Sequence, residues 1–464
     1  MKKSVISIII PITFLLFTKN SFSQTIFESH FSQQTGYSVK ELADGYVIAG
    51  TSTESMMLVR TDLSGNMVWE KMFGDLSGIH PEHAGFDVLV MPDSGFLVVG
   101  RGMPFNQNSF AYFIRTDPSG NVIWESKIYS DVDSLFDDFY AKKAYLTPDG
   151  KIIAAGVYSD YNSVQHPIVI ELDTLGNLFR RTHINLGYKL LLTDFIYTDS
   201  AYYFLGNTSG TPTLFNITKT DTNYNVLSTI TYGNGYGIEN AYSFTLDPNG
   251  NLFVSGLSEL FPADSFFVNK YSASGDTLFT HSYTASPGWN VPYPTKLIYN
   301  NGTLIIAGYE SYNSPDEAFL AALDTNGNEL YRYHYGGSNH DEFFDLIMTS
   351  DSNLVAIGRT SSFSNPLEMY LVKVNPSLLL TVHKYSNESP FEISFELNSI
   401  NINLNEELKT GNNYWKLYDI TGKMTATSAI SSRHFSIDSA SLHGLYLLNI
   451  NANNFAVTRK IYFP

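Results

Sequence analysis

The chain of 464 residues contains no cysteine. Disulfides, thiolate metal sites, a cysteine nucleophile, a cysteine–tyrosine redox cofactor and the lipidated cysteine of a lipoprotein anchor are therefore all excluded. Basic residues are scarce as well, since 28 Lys and Arg stand against 45 Asp and Glu and leave a net charge of −17. A surface of that sign repels phosphate backbones and anionic lipid, which argues against nucleic acid and membrane surfaces as partners. Helical periodicity is missing: no segment keeps apolar residues at 3.6-residue spacing over a helical length. Catalytic signatures are absent too, with no Gly-x-Ser-x-Gly, no His-Glu-x-x-His and no Walker loop. No cofactor and no bound metal are expected.

The N-terminus reads as an address. Lys2 and Lys3 precede an apolar stretch over 5–17, and Ser21, Phe22 and Ser23 follow before Gln24. Charged, apolar and small-residue regions in that order describe a secretory signal peptide over 1–23, too short in its apolar part for the roughly 20 residues that span a bilayer. No later window reaches that length, so no membrane span is expected after its removal. Loss of Lys2, Lys3 and Lys19 with the leader takes the net charge to −20, and the residues from Lys384 onward carry equal numbers of acids and bases. The excess negative charge thus belongs to residues 24–383.

Within that region seven short apolar runs end in glycine, at Gly50, Gly100, Gly156, Gly206, Gly256, Gly308 and Gly358. A period near 50 residues is the mark of a blade array, because one small sheet cannot cover its own faces and must stack on neighbours. Each unit holds four strand-length segments rich in β-branched and aromatic residues, punctuated by Gly, Pro, Asp and Ser. The expectation is an all-β, seven-bladed β-propeller with four-stranded blades. First strands are expected to begin near Tyr37, Phe86, Tyr140, Asp194, Tyr242, Thr295 and Phe344.

The third and fourth strands are joined by a recurring turn, as in Asp62 to Asn66, Asp117 to Asn121, Asp173 to Asn177 and Asp324 to Asn328, where Asp caps the turn and Gly takes a positive φ. Tyr224 occupies the glycine slot of one unit, which predicts a left-handed residue or a longer loop. None of these turns has the ligand spacing of a calcium loop. Aromatic residues follow the turns at Trp69, Trp124, Phe179, Phe279 and Tyr331, placed to cover the seam to the next blade. The seventh unit lacks a convincing fourth strand, whereas residues 25–31 align with 122–128. The N-terminal segment is therefore expected to complete the last blade and close the ring.

The period stops past residue 383. In 384–464 the residues Trp415, Lys416, Leu417, Tyr418, Asp419, Gly422 and Lys423, then Gly444 and Tyr446, and finally Arg459 and Lys460 form an ordered set. It resembles the C-terminal sorting domain of type IX secretion substrates, with its Leu-Tyr-Asp-x-x-Gly-Lys hairpin, Gly-x-Tyr strand and terminal lysine strand. The Tyr-Pro-Asn-Pro that often opens such domains is replaced by a different sequence over 385–390. The resemblance implies an immunoglobulin-like β-sandwich, export across the outer membrane, and the type IX secretion machinery as a partner. Residues 335–341 and 351–358 also resemble the propeller repeats that such exported proteins carry, a family defined by architecture.

Ligands of propellers sit over the central channel on loops entering the innermost strands. Seventeen residues before each glycine stand Gln33, His83, Phe139, Lys189, Glu239, Val291 and Asp341, which share no ligand type. The most suggestive cluster is His80, Glu82 and His83, two imidazoles and a carboxylate at metal-ligand spacing. Asp138, Glu239, Asp341 and Glu342 complete the candidate contacts for a glycan or protein ligand. The resulting expectation is a binding or adhesion protein at the cell surface, with a surface glycan hydrolase or lyase and a structural scaffold as alternatives.

Overall fold

A computed structural model of the chain describes residues 25–376 apart from 33, 53–54, 75–82, 105–107, 132–137, 161–163, 185–189, 209–211, 234–237, 260–264, 285–290, 312–314 and 364–366. It also describes 391–463 apart from 397–398, 405–412, 420–422, 439–441, 443 and 453–454. The expected signal peptide over 1–23 and the expected domain boundary at 383/384 lie outside the described residues.

Seven four-stranded antiparallel sheets follow one another along the chain. Their first strands are Gln34–Leu42, Ala84–Val90, Phe139–Leu146, Leu190–Thr198, Ile238–Leu246, Val291–Asn300 and Asp341–Met348, and define blades 1 to 7. Each first strand touches the first strand of the next blade, and that of blade 7 touches that of blade 1, so the seven form the inner wall of a closed ring. Second and third strands are almost wholly buried, as in Gly45–Ser52 and Ser55–Asp62, and sandwich apolar layers between blades. Fourth strands, such as Met67–Phe73 and Val122–Tyr129, form the exposed perimeter.

The last blade is closed by the other end of the chain. Thr25–Ser32 pairs antiparallel with Glu368–Val374 as the outermost strand of blade 7. Phe31 is buried there with Met369 and Leu371, and Phe27 packs against the same cluster. A ring made this way leaves no unpaired edge between first and last blades.

Aromatic side chains and turns interlock around the perimeter. Gly120 adopts φ 79° and sits against the Trp69 ring of the preceding blade, so close that a Cβ there would lie 2.9 Å from the indole. Gly176 meets Trp124 in the same manner, and the Trp124 Nε1–H donates to the Thr174 carbonyl at 3.1 Å. Each turn carboxylate is saturated within its own turn: Asp62 Oδ1 accepts the Ser64 and Asn66 N–H groups, and Oδ2 accepts Asn66 Nδ2, all at 2.9 Å. Tyr224 takes the left-handed conformation with φ 67°, held by stacking on Tyr202 at 4.9 Å and by its hydroxyl donating to Glu171 Oε1 at 2.8 Å.

The first strands begin one to four residues before the positions expected from sequence. Every one of them carries a register shift, between Gly36 and Ser38 in blade 1 and between Phe343 and Asp345 in blade 7, for example. This β-bulge interrupts the alternation of buried and open positions, so the strand pattern legible in the sequence starts near the bulge in blades 1, 2, 4, 5, 6 and 7.

Beyond the ring, Phe391–Glu396, Ser399–Leu404 and His434–Asp438 form one sheet. Met424–Ala429, Tyr414–Asp419, Gly444–Ala452 and Phe455–Phe463 form a second. Ile400, Ile402, Trp415, Leu417, Leu448 and Ile450 fill the space between them, giving a small β-sandwich.

Removing residues 25–31 strips blade 7 of its outer strand and takes the buried Phe31 out of the core it shares with Met369 and Leu371. Loss of that one side chain alone costs about 3–5 kcal/mol, so calorimetry of the truncated chain is expected to show a melting temperature lower by at least about 10 °C. An unchanged melt would disprove the closure.

Candidate functional site at the channel

The seven glycines that open the sequence pattern lie opposite the bulges. A Cβ on Gly100 would stand 1.8 Å from the Ala84 carbonyl oxygen, on Gly156 1.9 Å from that of Tyr140, and on Gly358 1.8 Å from that of Glu342. The other four meet an inner-strand carbonyl in the same way. Only glycine admits the bulged strand, and the bulge then sets one side chain of each inner strand at the mouth and the next at the seam between blades.

The second of each pair builds a polar ring: Ser38, Asp87, Lys143, Asp194, Ser243, Lys296 and Asp345. Charges of opposite sign alternate around it, with Lys40 joining from blade 1. Lys40 lies 3.3 Å from Asp87, Lys143 2.6 Å from Asp194 and Lys296 3.2 Å from Asp345. The carboxylates also bind backbone across the seams. Asp87 Oδ2 accepts the Ala144 N–H at 3.0 Å, Asp194 Oδ2 the Phe244 N–H at 3.3 Å, and Asp345 Oδ2 the Val39 N–H at 3.1 Å. The last bond joins blade 7 to blade 1.

Burial opposes ionisation of Asp194 and Asp345, yet the neighbouring ammonium groups and backbone donors hold both below the ordinary carboxylate range. Lys143 and Lys296 do so for Asp194, and Lys296 and Lys40 for Asp345. Burial likewise opposes the charge on Lys143, and Asp194 raises it above its usual value.

The first residue of each pair lines the mouth. Phe344, Tyr37 and Phe86 are half-buried bulge residues of blades 7, 1 and 2. Their rings run in series, Tyr37 5.5 Å from Phe344 and 5.8 Å from Phe86, and Phe86 5.6 Å from Tyr140 of blade 3. A second arc on blades 5 and 6 sets Tyr293 4.7 Å from Tyr309 and 6.4 Å from Tyr242. Arg359 caps the first arc, 5.5 Å over the Phe344 ring, and binds Glu342 at 2.6 Å. Arg101 lies 3.6 Å from Asp138. Burial raises the Tyr37 hydroxyl and pushes those of Tyr140 and Tyr242 up to about 12.

Of the candidate contacts singled out from sequence, those the structure describes lie at or next to the strand starts. His80 and Glu82 lie outside the described residues. His83 immediately precedes the first strand of blade 2 and is buried against Phe110 and Tyr112, its Nδ1 accepting the Met103 N–H at 3.3 Å. Glu239 and Glu342 are second residues of their strands, and Asp341 is the first of its own. All three are buried. Asp341 ties down the preceding turn, accepting from Thr360 Oγ1, from Ser362 Oγ at 2.7 Å and from the Gly337 N–H at 2.8 Å, and burial raises its carboxyl. Asp138 accepts from Gln165 Nε2 at 3.1 Å as well as facing Arg101. His83 and Asp341 thus engage separate partners. Among the described residues no group of three or more His, Asp or Glu is placed to hold a metal.

The loop positions before the first strands therefore carry less than the strands themselves. A polar residue recurs 12 or 13 places before every glycine, as Ser38 before Gly50 and Asp87 before Gly100, and that period within apolar strands was the available signal.

In the tail sandwich the Asp419 N–H donates to the Lys423 carbonyl at 3.0 Å, and Asp419 Oδ1 accepts the Lys423 N–H at 3.1 Å, closing the expected hairpin. Tyr446 pairs with Asp419 and packs on the tail core, and Lys460 pairs with Leu447 in the sheet. Gly422 lies outside the described residues, and Gly444 begins its strand.

Ring and tail together define the class: a seven-bladed β-propeller followed by a small β-sandwich. Comparison with known proteins agrees at both parts. Residues 147–178 match the family model of a domain of unknown function described as a beta-propeller, and residues 397–463 match that of the secretion system C-terminal sorting domain. The protein is thus a propeller with a type IX sorting domain, and is secreted or displayed at the cell surface. No curated protein matches the chain. Among solved structures it is similar to the polysaccharide lyase Uly1, at 10% identity and TM-score 0.48, over 73% of this chain and 90% of that one. It is also similar to the AfRom2 CNH domain, at 8% identity and TM-score 0.43, over 75% and 98% of the respective chains. A puromycin hydrolase is matched at 12% identity and TM-score 0.38, over 71% of this chain and 58% of its own. No helix among the described residues is long and apolar enough to cross a membrane.

Asp194→Asn and Asp345→Asn each leave half-buried cations short of a partner, and each is expected to cost about 3 kcal/mol in denaturant unfolding. Because both carboxyls are more acidic folded than unfolded, their contribution is complete above the unfolded value near pH ~3.9 and is lost as pH falls towards the folded value. The stability gap between wild type and Asp194→Asn should therefore shrink below about pH 4. A gap that stays constant down to pH ~2 would contradict the ion-pair account.

Proposed function

We propose that the propeller is a binding module, and that it presents the mouth of its channel to a glycan outside the cell without turning it over. The observation that carries this proposal is the arc of four rings, Phe344, Tyr37, Phe86 and Tyr140, half-buried in series around the mouth. Flat aromatic faces stack on the C–H faces of sugar rings, and phenol and guanidinium groups beside them supply hydrogen bonds that fix orientation. Tyr37 and Tyr140 have raised hydroxyl values, so at neutral pH they serve as neutral donors and acceptors instead of phenolate bases. The nearest carboxylates, Glu342 and Asp138, are each engaged with an arginine. This supports binding over general acid–base chemistry, which needs a group free to exchange its proton. His83, Glu239 and Asp341 are proposed to set the height and angle of the strands that carry the rings.

In this account residues 24–383 are the propeller and 384–464 the sorting domain through which the type IX machinery recognises its cargo. Removal of 384–464 is expected to leave the protein in the periplasm. Fractionation would show this, and undiminished export would refute the sorting role.

A glycan array combined with product analysis tests the binding proposal. Retention of a glycan without new chain ends is expected, with Tyr37→Ala weakening it about tenfold, the scale of one stacking contact. New reducing ends or unsaturated sugars would establish a hydrolase or lyase instead. Co-purification of a protein with no glycan retained would favour a surface scaffold.

A further inference from the structure

The charges along the channel do not balance. Lys40, Lys143 and Lys296 alternate with Asp87, Asp194 and Asp345, each ammonium within 3.3 Å of a carboxylate. Lys142 is a fourth lysine that stands outside this alternation. It is the unpaired residue of the bulge in blade 3, where the register passes from Ala141 to Lys143. The bulge directs it towards the channel, half-buried, where the other blades present uncharged residues such as Tyr37, Phe86, Thr193, Tyr242 and Phe344. Its one hydrogen bond among the described residues is a long one, from Nζ to the Leu192 carbonyl of blade 4 at 3.4 Å. An ammonium has three donors.

The carboxylate closest to it in charge, Asp194, has nothing left to offer. Its Oδ1 accepts from Lys143 Nζ at 2.6 Å and the Phe195 N–H at 2.8 Å. Its Oδ2 accepts from Ser243 Oγ at 3.0 Å and the Phe244 N–H at 3.3 Å. Burial pulls the Lys142 ammonium below its ordinary range, Asp194 opposes this, and Lys143 adds to it. A half-buried cation with spare donors and no counter-charge of its own favours an incoming anion.

We propose that Lys142 forms an anion site in the channel wall that takes one oxyanion, a carboxylate or a sulfate, entering by the mouth. The site does not depend on the glycan proposal, since the anion is either free in solution or the acidic group of a sugar. On a chain of net charge −17, general attraction cannot hold an anion, so retention has to be local.

Trifluoroacetate, a small carboxylate followed by fluorine NMR, serves as the probe against the mature full chain. Saturable binding is expected, weakened at least about tenfold by Lys142→Met or Lys142→Gln, retained by Lys142→Arg and unaffected by Lys71→Met on the perimeter. None of the Lys142 substitutions removes an ion pair, so the melting temperature should not fall. Absence of saturable binding in the wild type, or equal affinity in Lys142→Met, overturns the proposal. Displacement separates the two sources. Glucuronate that competes about tenfold better than acetate identifies an acidic sugar, and equal competition identifies a free anion.

Discussion

One close contact repeated seven times shapes this molecule: the carbonyl of an inner strand pressed against a residue that has no side chain. At Gly100 the space for a Cβ is filled by the Ala84 oxygen, and at Gly358 by that of Glu342. The contact exists because each inner strand bulges there, and the bulge exists where its partner is glycine. From that geometry follow the two features that distinguish the channel. One residue of each bulge is pushed out to the mouth, and the next is aimed at the seam between blades, where carboxylates reach the backbone of the following blade.

Closure of the ring uses several kinds of force at once. The polar ring binds blade 7 to blade 1 through Asp345 and Val39, while Glu41 accepts the Ser350 N–H at 2.7 Å on the same seam. The N-terminal strand supplies what these bonds cannot, an apolar cover and a paired edge. The perimeter turns add a third element, since Gly65, Gly120 and Gly176 rest on the aromatic rings of the preceding blade. Cysteine is dispensable in such a design. Chain entropy is restrained by a ring that begins and ends in the same sheet.

Period, strand content, blade number and the closing strand were all legible from the chain, because each depends on local chemistry: glycine at fixed steps, Asp and Gly at turns, aromatic residues after them. The tail was legible through a set of residues in fixed order. Less could be read of the channel. The bulges displace the apparent strand starts, so Glu239 and Asp341 looked like loop residues although they are buried in strands. Asp87, Asp194 and Asp345 lay in apolar surroundings at a period shared with lysine and serine, and a search for one repeated ligand type passes over a ring built on alternation. Lys142 is visible only once the register is known.

The scaffold is symmetric in backbone and asymmetric in what it shows. Aromatic rings crowd the mouth on blades 7, 1, 2 and 3, and Lys142 breaks the pattern at the bulge of blade 3. In the binding role proposed above, recognition belongs to the bulge residues, and the glycines make those residues possible. The most direct measurement is the unfolding free energy of Gly156→Ala, where the added methyl would meet only backbone, at 1.9 Å from the Tyr140 oxygen. A loss of about 3 kcal/mol is predicted, since no side chain can move aside. A loss below about 0.5 kcal/mol, within the range of an ordinary surface substitution, would show that the bulge does not depend on glycine.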